Sequence, residues 1–256
     1  MSRLIASTMT HRTMCLADAL KKIASAGFDR VELCTVGDWV PHFDAENADR
    51  DSIERIAGLF EETGIALHAV NCGAFSRAGM KNVFSLARRC GAGIVTVPCG
   101  EIRDDVSRAE AIRSRAKLNG ELLEEALDNG VQLAVEAPHK NTLASKSGEI
   151  DEYWEAQDER IRCTFDTAHL TFAGEDILPI ARKYARRIAH VHLRDAVPGN
   201  SLMRYGEGVV DFAAFRTVLD REGYSGLFSM EYPADSDEEA AEKLVSSVKF
   251  LSQFGI

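Results

Sequence analysis

Strand-like and helix-like stretches alternate along this chain from one end to the other, with starts about 30 residues apart, the size of one strand–helix unit. The strand candidates are residues 3–8, 30–35, 65–71, 94–99, 131–137, 162–167, 188–194 and 226–232. Each is rich in β-branched, aromatic or other apolar side chains and is bounded by polar or turn-forming residues. The segments ADALKKIASAG, SIERIAGLFEETG, MKNVFSLARRCG and AEAIRSRAKLNGELLEEALDNG carry helical periodicity and close on Gly, a common helix stop. ILPIARKYARR, FAAFRTVLDREG and EEAAEKLVSSVKFLSQF repeat the pattern, and GEIDEYWEAQ is the shortest helix candidate. Eight such units in 256 residues predict an α/β fold, a (β/α)8 TIM barrel forming a single domain over 1–256. An open doubly wound sheet would use the same alternation, but its first turn carries a glycine-rich phosphate loop, and STMTHRT has none. No Pro/Ser-rich linker or low-complexity tract marks an internal boundary.

A parallel barrel gathers all its strand C-termini on one face. On four consecutive strands that end is an acid or an imidazole: Glu136 in VQLAVEAPH, Asp166 in RCTFDTAH, His192 in IAHVHLRD and Glu231 in GLFSMEY. Burying three carboxylates around one imidazole makes sense only with a cation between them. An oxygen-rich set with one nitrogen donor suits Mn²⁺ or Mg²⁺, with Zn²⁺ and Co²⁺ also compatible. The set therefore predicts one divalent metal ion, and with it an enzyme.

Each residue has a plainer alternative. Glu136 and Glu231 could form rim salt bridges. Asp166 could cap the next helix, although the length of TAHLTFAGED places the expected helix start at Glu175. His190 shares its side of the strand with His192, which lies nearer the loop and is taken as the ligand. Glu32, on the second strand, is expected to orient another side chain by hydrogen bonding. Lys140, Arg194 and Arg204 fall in loops at the same face, where any of them could clamp a carboxylate or phosphate of a substrate or simply be solvated. Trp39, His42 and Phe43, in the loop after the second strand, suggest a lid or a subunit contact.

The formal charge of −10 argues against nucleic acid as a partner. No apolar run is long enough to span a bilayer, and MSRLIASTMTHR has too short an apolar stretch for a secretory signal, so a cytoplasmic location is expected. Six cysteines without close-paired spacing read as small buried apolar side chains in a reducing compartment.

Further fragments join these residues: G-F-D-R-V-E-L at 27–33, E-A-P-H at 136–139, F-D-T-A-H at 165–169, H-V-H-L-R-D at 190–195, Y-G-E-G-V-V-D-F at 205–212 and G-Y-S-G-L-F-S-M-E at 223–231. In this order and spacing the chain resembles, over essentially its whole length, the xylose isomerase-like barrel superfamily. That group includes D-tagatose 3-epimerase, inosose isomerases and dehydratases, hydroxypyruvate isomerase and endonuclease IV. The resemblance implies that Glu136, Asp166, His192 and Glu231 bind one divalent metal. It implies that the two glutamates move carbon-bound protons from opposite faces of the substrate, as in the epimerase branch. His169 would touch substrate oxygens, and His68, ending the third strand, would lie near the substrate or a further metal. Barrels of this resemblance commonly form homo-dimers or homo-tetramers.

The chain also departs from the pattern. Thr142 stands where the epimerases carry a second glutamate, and Pro198 where they carry an arginine. Pro98-Cys99 and Gly206-Glu207-Gly208 replace the extra zinc ligands of endonuclease IV. The expected function is a metal-dependent isomerase or epimerase acting on a small sugar, polyol-derived ketone or sugar acid. It would remove a proton next to a carbonyl, with the cation lowering the cost of an enediolate as a Lewis acid. A dehydratase would share the first half of that reaction. An endonuclease IV-like phosphodiesterase and a sugar-binding barrel without catalysis are the readings from other classes.

Overall fold

The eight strand candidates close on themselves. The computed structural model describes residues 3–102 and 104–256. The barrel strands are β1 (Leu4–Ser7), β2 (Arg30–Thr35), β3 (Ala66–Cys72), β4 (Ile94–Pro98), β5 (Gln132–Glu136), β6 (Arg162–Asp166), β7 (Ile188–Leu193) and β10 (Phe228–Met230). They pair in parallel in chain order, and β1 closes the ring on β10 with Leu4, Ile5 and Ala6 opposite Phe228, Ser229 and Met230. A small antiparallel hairpin, β8 (Asp195–Val197) and β9 (Asn200–Met203), lies outside the barrel directly after β7, where a plain loop was expected.

Helices α1 (Leu16–Ser25), α2 (Arg50–Thr63), α3 (Arg77–Cys90), α4 (Arg108–Asp128), α5 (Ser147–Glu155), α6 (Thr167–Phe172), α7 (Ile177–Tyr184), α8 (Phe212–Arg221) and α9 (Asp237–Leu251) connect the strands. Their boundaries follow local chemistry. Ser76, Ser107 and Ser236 accept hydrogen bonds from the backbone two or three residues into α3, α4 and α9. Gly64 and Gly91 end α2 and α3 in the left-handed conformation that costs other residues most. Between helices and barrel lie large apolar side chains, Leu20, Phe84 and Phe215 from the helices and Phe165 and Phe228 from the strands, each fully buried. Burying a side chain of this kind contributes roughly 1.5–3 kcal/mol. Of the cysteines, Cys34, Cys72, Cys99 and Cys163 are buried, Cys90 is partly so and Cys15 is exposed; all six are free thiols.

Inside the ring the packing is different. A barrel interior is usually filled by Val, Ile and Leu. Here Glu32, Thr96, Thr164, His190, His192 and Ser229 are all fully buried, and Thr96 and Thr164 share a hydrogen bond of 2.7 Å. Ala69, Ile94 and Ala134 form a small apolar cluster of their own. This polar filling is the floor on which the site stands.

Two expectations need correction. The helix after β6 does not wait until Glu175: α6 begins at Thr167, immediately after Asp166, and α7 follows it. His68 does not end the third strand. It is the third of seven residues in β3, skipped at an irregularity in register where Val31 pairs with Leu67 but Glu32 with Ala69.

Candidate metal centre

Glu136 ends β5, Asp166 ends β6, His192 is the fifth residue of β7, and Glu231 follows β10. Donor atoms of all four lie within 4.8 Å of one another, and all four side chains are buried. His192 Nδ1 is 3.0 Å from Glu136 Oε1 and 3.4 Å from Glu231 Oε2. The other ring nitrogen, Nε2, is 2.9 Å from Glu32 Oε1. Glu32 also contacts His190 Nε2 at 3.0 Å and accepts from Ser229 Oγ at 2.7 Å, so this buried carboxylate locks the ring from beneath. The orienting role expected for Glu32 is the one its contacts give it.

Asp166 has one task for each oxygen. Oδ1 accepts from Ala168 N at 2.6 Å and His169 N at 3.3 Å, capping α6. Oδ2 is buried with no hydrogen-bond partner among the described residues. The cap alternative is therefore real and leaves the second oxygen for the cluster. Arg194 Nη1 stands 3.6 Å from that oxygen and 3.6 Å from Glu231 Oε2.

The electrostatics show what this group of residues demands. Burial pushes the Glu231 carboxyl up to about 8, opposed by His192 and reinforced by the charge of Glu136. Burial also raises Asp166, against the pull of Arg194. His192 moves the other way: burial disfavours its charge, yet Glu231 and Glu32 outweigh that and hold its pKa well above the usual range. Three carboxylates call for positive charge at their centre. With three carboxylate donors, one imidazole nitrogen and an unpartnered buried oxygen, the cluster could hold a divalent cation.

Around this centre lies a cleft of about 300 Å³, lined by Trp39, Asn71, His139, Lys140, His169 and Arg194 among others. His169 is buried; its Nε2 lies 3.8 Å from both Glu136 Oε1 and Asp166 Oδ2, and neither ring nitrogen has a hydrogen-bond partner among the described residues. Burial, with His139 beside it, drives its pKa well below the usual range, so the ring is neutral. Lys140 Nζ donates to Ser201 Oγ at 2.6 Å and sits 5.1 Å from the Phe172 ring, at the cleft wall. Arg194 is more intimate with the cluster than a loop cation would be: it is buried, and its second nitrogen reaches Ser201 O.

Two sequence candidates fall away from the cleft. Arg204 pairs with Glu242 at 2.8 Å, half exposed on the outer surface. His68 packs with its ring 5.7 Å from His190 and does not line the cleft, because the β3 irregularity leaves the strand end to Asn71 and Cys72. Of the three residues singled out in the loop after β2, His42 and Phe43 are buried, and Trp39 is exposed and lines the cleft. Two residues not singled out in the sequence do face the site. Asn71 donates to Glu231 Oε1 at 2.8 Å. The His139 ring packs at a tilt against His169, centroids 4.0 Å apart, with its Nε2 4.0 Å from Glu136 Oε2. His139 closes the E-A-P-H fragment, and that position was the available signal for it.

A family model described as xylose isomerase-like TIM barrel matches residues 20–254. An inosose dehydratase of Clostridium perfringens is 30% identical over 143 residues, covering 48% of this chain and 47% of the relative. One from Geobacillus thermodenitrificans is 34% identical over 116 residues, covering 38% and 39%. The matched stretch thus spans half or less of these curated relatives. Among solved structures, a D-tagatose 3-epimerase-like protein superposes with TM-score 0.78 at 19% identity, covering 100% of this chain and 98% of that one. An IOLI protein with a binding zinc atom gives 0.76 at 18% identity, covering 99% of each. At such identities these two likenesses speak for the fold alone.

Proposed function

Since the chain belongs to the xylose isomerase-like TIM barrel family, we propose that it is a metal-dependent enzyme acting on a small carbohydrate bearing a hydroxy-ketone: a sugar, a polyol-derived ketone or a sugar acid. The reaction is an isomerisation or epimerisation that begins with removal of a proton next to the carbonyl. The observation that carries this reading is the buried meeting of Glu136, Asp166, His192 and Glu231 at the C-terminal face, beside a cleft of sugar size.

Glu136, Asp166, His192 and Glu231 would hold the cation, which when bound supplies Lewis-acid polarisation of the carbonyl. Mn²⁺ or Mg²⁺ suits so oxygen-rich a donor set, and Zn²⁺, present in the IOLI protein, is the alternative. Glu136 and Glu231 reach the same centre from β5 and the end of β10, so one can take the carbon-bound proton and the other return it. His169, neutral and without a partner for either ring nitrogen, can donate to or accept from a substrate oxygen. The Arg194 guanidinium, next to Asp166 and Glu231, stabilises negative charge developing on the substrate. Lys140 is placed to contact a more distal polar group. A homo-dimer or homo-tetramer is part of the same reading.

The inosose dehydratase relatives favour a second reading, in which the same proton removal is followed by loss of a β-hydroxyl. Turnover in D₂O tests both, using a panel of ketoses, inososes and keto-acids with Mn²⁺. Deuterium at one carbon of recovered substrate or product is expected, and a product lighter by one water, after allowance for any deuterium taken up, identifies dehydration. Turnover without exchange at any carbon would exclude the exchangeable-proton mechanism.

A further inference from the structure

The cleft adjoins a second, larger space. Pro98, at the end of β4, and His139, after β5, line both the cleft and a groove of about 540 Å³. The groove runs between the α4 face carrying Ala111 and Leu118 and the loop carrying Leu143. Leu118 leaves 42% of its surface exposed, a large apolar side chain open to solvent beside a polar site. Gly100 lies between them with φ of +102°, and a Cβ there would come within 3.2 Å of both Arg115 and Leu143. A glycine at that point lets the loop and α4 close around the groove. The cleft alone is at the lower end of the range for small-molecule sites, ~300–1,000 Å³, and the two together lie well inside it.

We propose that this groove is the subsite for an apolar substituent carried by the ligand of the cleft, so that the substrate is a glycoside or similarly substituted hydroxy-ketone rather than a free monosaccharide. The inference rests on the reading of the cleft given above. Its first support is position. His139 packs at a tilt against His169 and, with Pro98, lines both spaces, so a substituent on a ligand whose oxygens meet His169 can pass His139 toward Ala111. Its second is chemistry. Glu101, Glu110, Ser114 and Arg115 line part of the groove, but Ala111, Leu118 and Leu143 give it an apolar wall, on which an aryl or alkyl group gains roughly 25 cal/mol for each Å² buried.

The test is calorimetric titration of the Mn²⁺-loaded protein with methyl and phenyl 3-keto-β-D-glucoside, ring hydroxy-ketones differing only in the substituent. The phenyl compound should bind at least about tenfold tighter, as burial of one ring predicts. Ala111→Trp, which fills the groove, and Leu118→Asp, which makes it polar, should each abolish that preference while leaving the methyl compound's affinity within about twofold. Equal affinities for the wild type, or a preference surviving both substitutions, would overturn the inference and leave the reading of the cleft intact. Failure of both compounds to bind a protein that takes up Mn²⁺ would overturn the two together.

Discussion

Asp166 is the residue where two demands meet. One oxygen caps α6 and the other turns into the cluster, so the two functions can be separated by substitution. Asp166→Asn keeps an acceptor for the cap and removes the charge, and it should bind metal far more weakly while unfolding at nearly the wild-type temperature. Asp166→Ala loses both and should cost about a further 1 kcal/mol of stability. Calorimetric metal titration and thermal unfolding read these out; equal metal affinity in the wild type and Asp166→Asn would remove Asp166 from the ligand set. Glu32 acts one step back. By holding His192 Nε2 it leaves Nδ1 toward the cluster, and such supporting carboxylates are typically worth 10–100-fold in metal affinity. Glu32→Gln should lower affinity by about that factor, and an unchanged titration would contradict the orienting role.

At the scale of elements, the connection between β7 and α8 does more than join them. The hairpin β8–β9 supplies Ser201, which holds both Lys140 and Arg194 at the cleft. Asp195 ties the following turn to the hairpin: it accepts from Gly206 N at 2.8 Å, Gly208 N at 3.0 Å and Ala196 N at 2.9 Å. A Cβ on Gly208 would fall 2.0 Å from Asp195 Oδ1, so the G-E-G fragment owes its second glycine to this close approach. Gly208→Ala should therefore lower stability by about 1–3 kcal/mol through lost hydrogen bonds and displaced backbone. Thermal unfolding checks this, and a shift below one degree would show that the turn relaxes freely.

For the molecule as a whole, the barrel gathers three buried carboxylates at one end, with His192 and Arg194 as the cations beside them. Anything that binds the folded site and not the unfolded chain stabilises the fold; at a metal concentration 100 times its dissociation constant the gain is about 2.7 kcal/mol. For a chain of this size that is a rise in Tm of roughly 5–10 °C, reversed by chelation. Calorimetry with Mn²⁺, Mg²⁺, Zn²⁺ and Co²⁺ in turn tests it, and no shift with any of them would sink the metal centre. The described helices include none long and apolar enough to cross a membrane.

The order of strands and helices was legible in the sequence because it rests on local periodicity and on stop residues such as Gly64 and Gly91, which need no tertiary contact. The positions of Glu136, Asp166, His192 and Glu231 at strand ends were legible for the same reason: a parallel barrel converts position along each strand into position on one face. Direction was not. His68 lost its place to Asn71 through one irregularity of register, Asp166 divides its oxygens between a cap and the cluster, and Arg194 turns inward while Arg204 turns out. Each of those outcomes depends on where neighbouring strands and loops stand in space, since a side chain's heading is set by packing against partners far away in the chain.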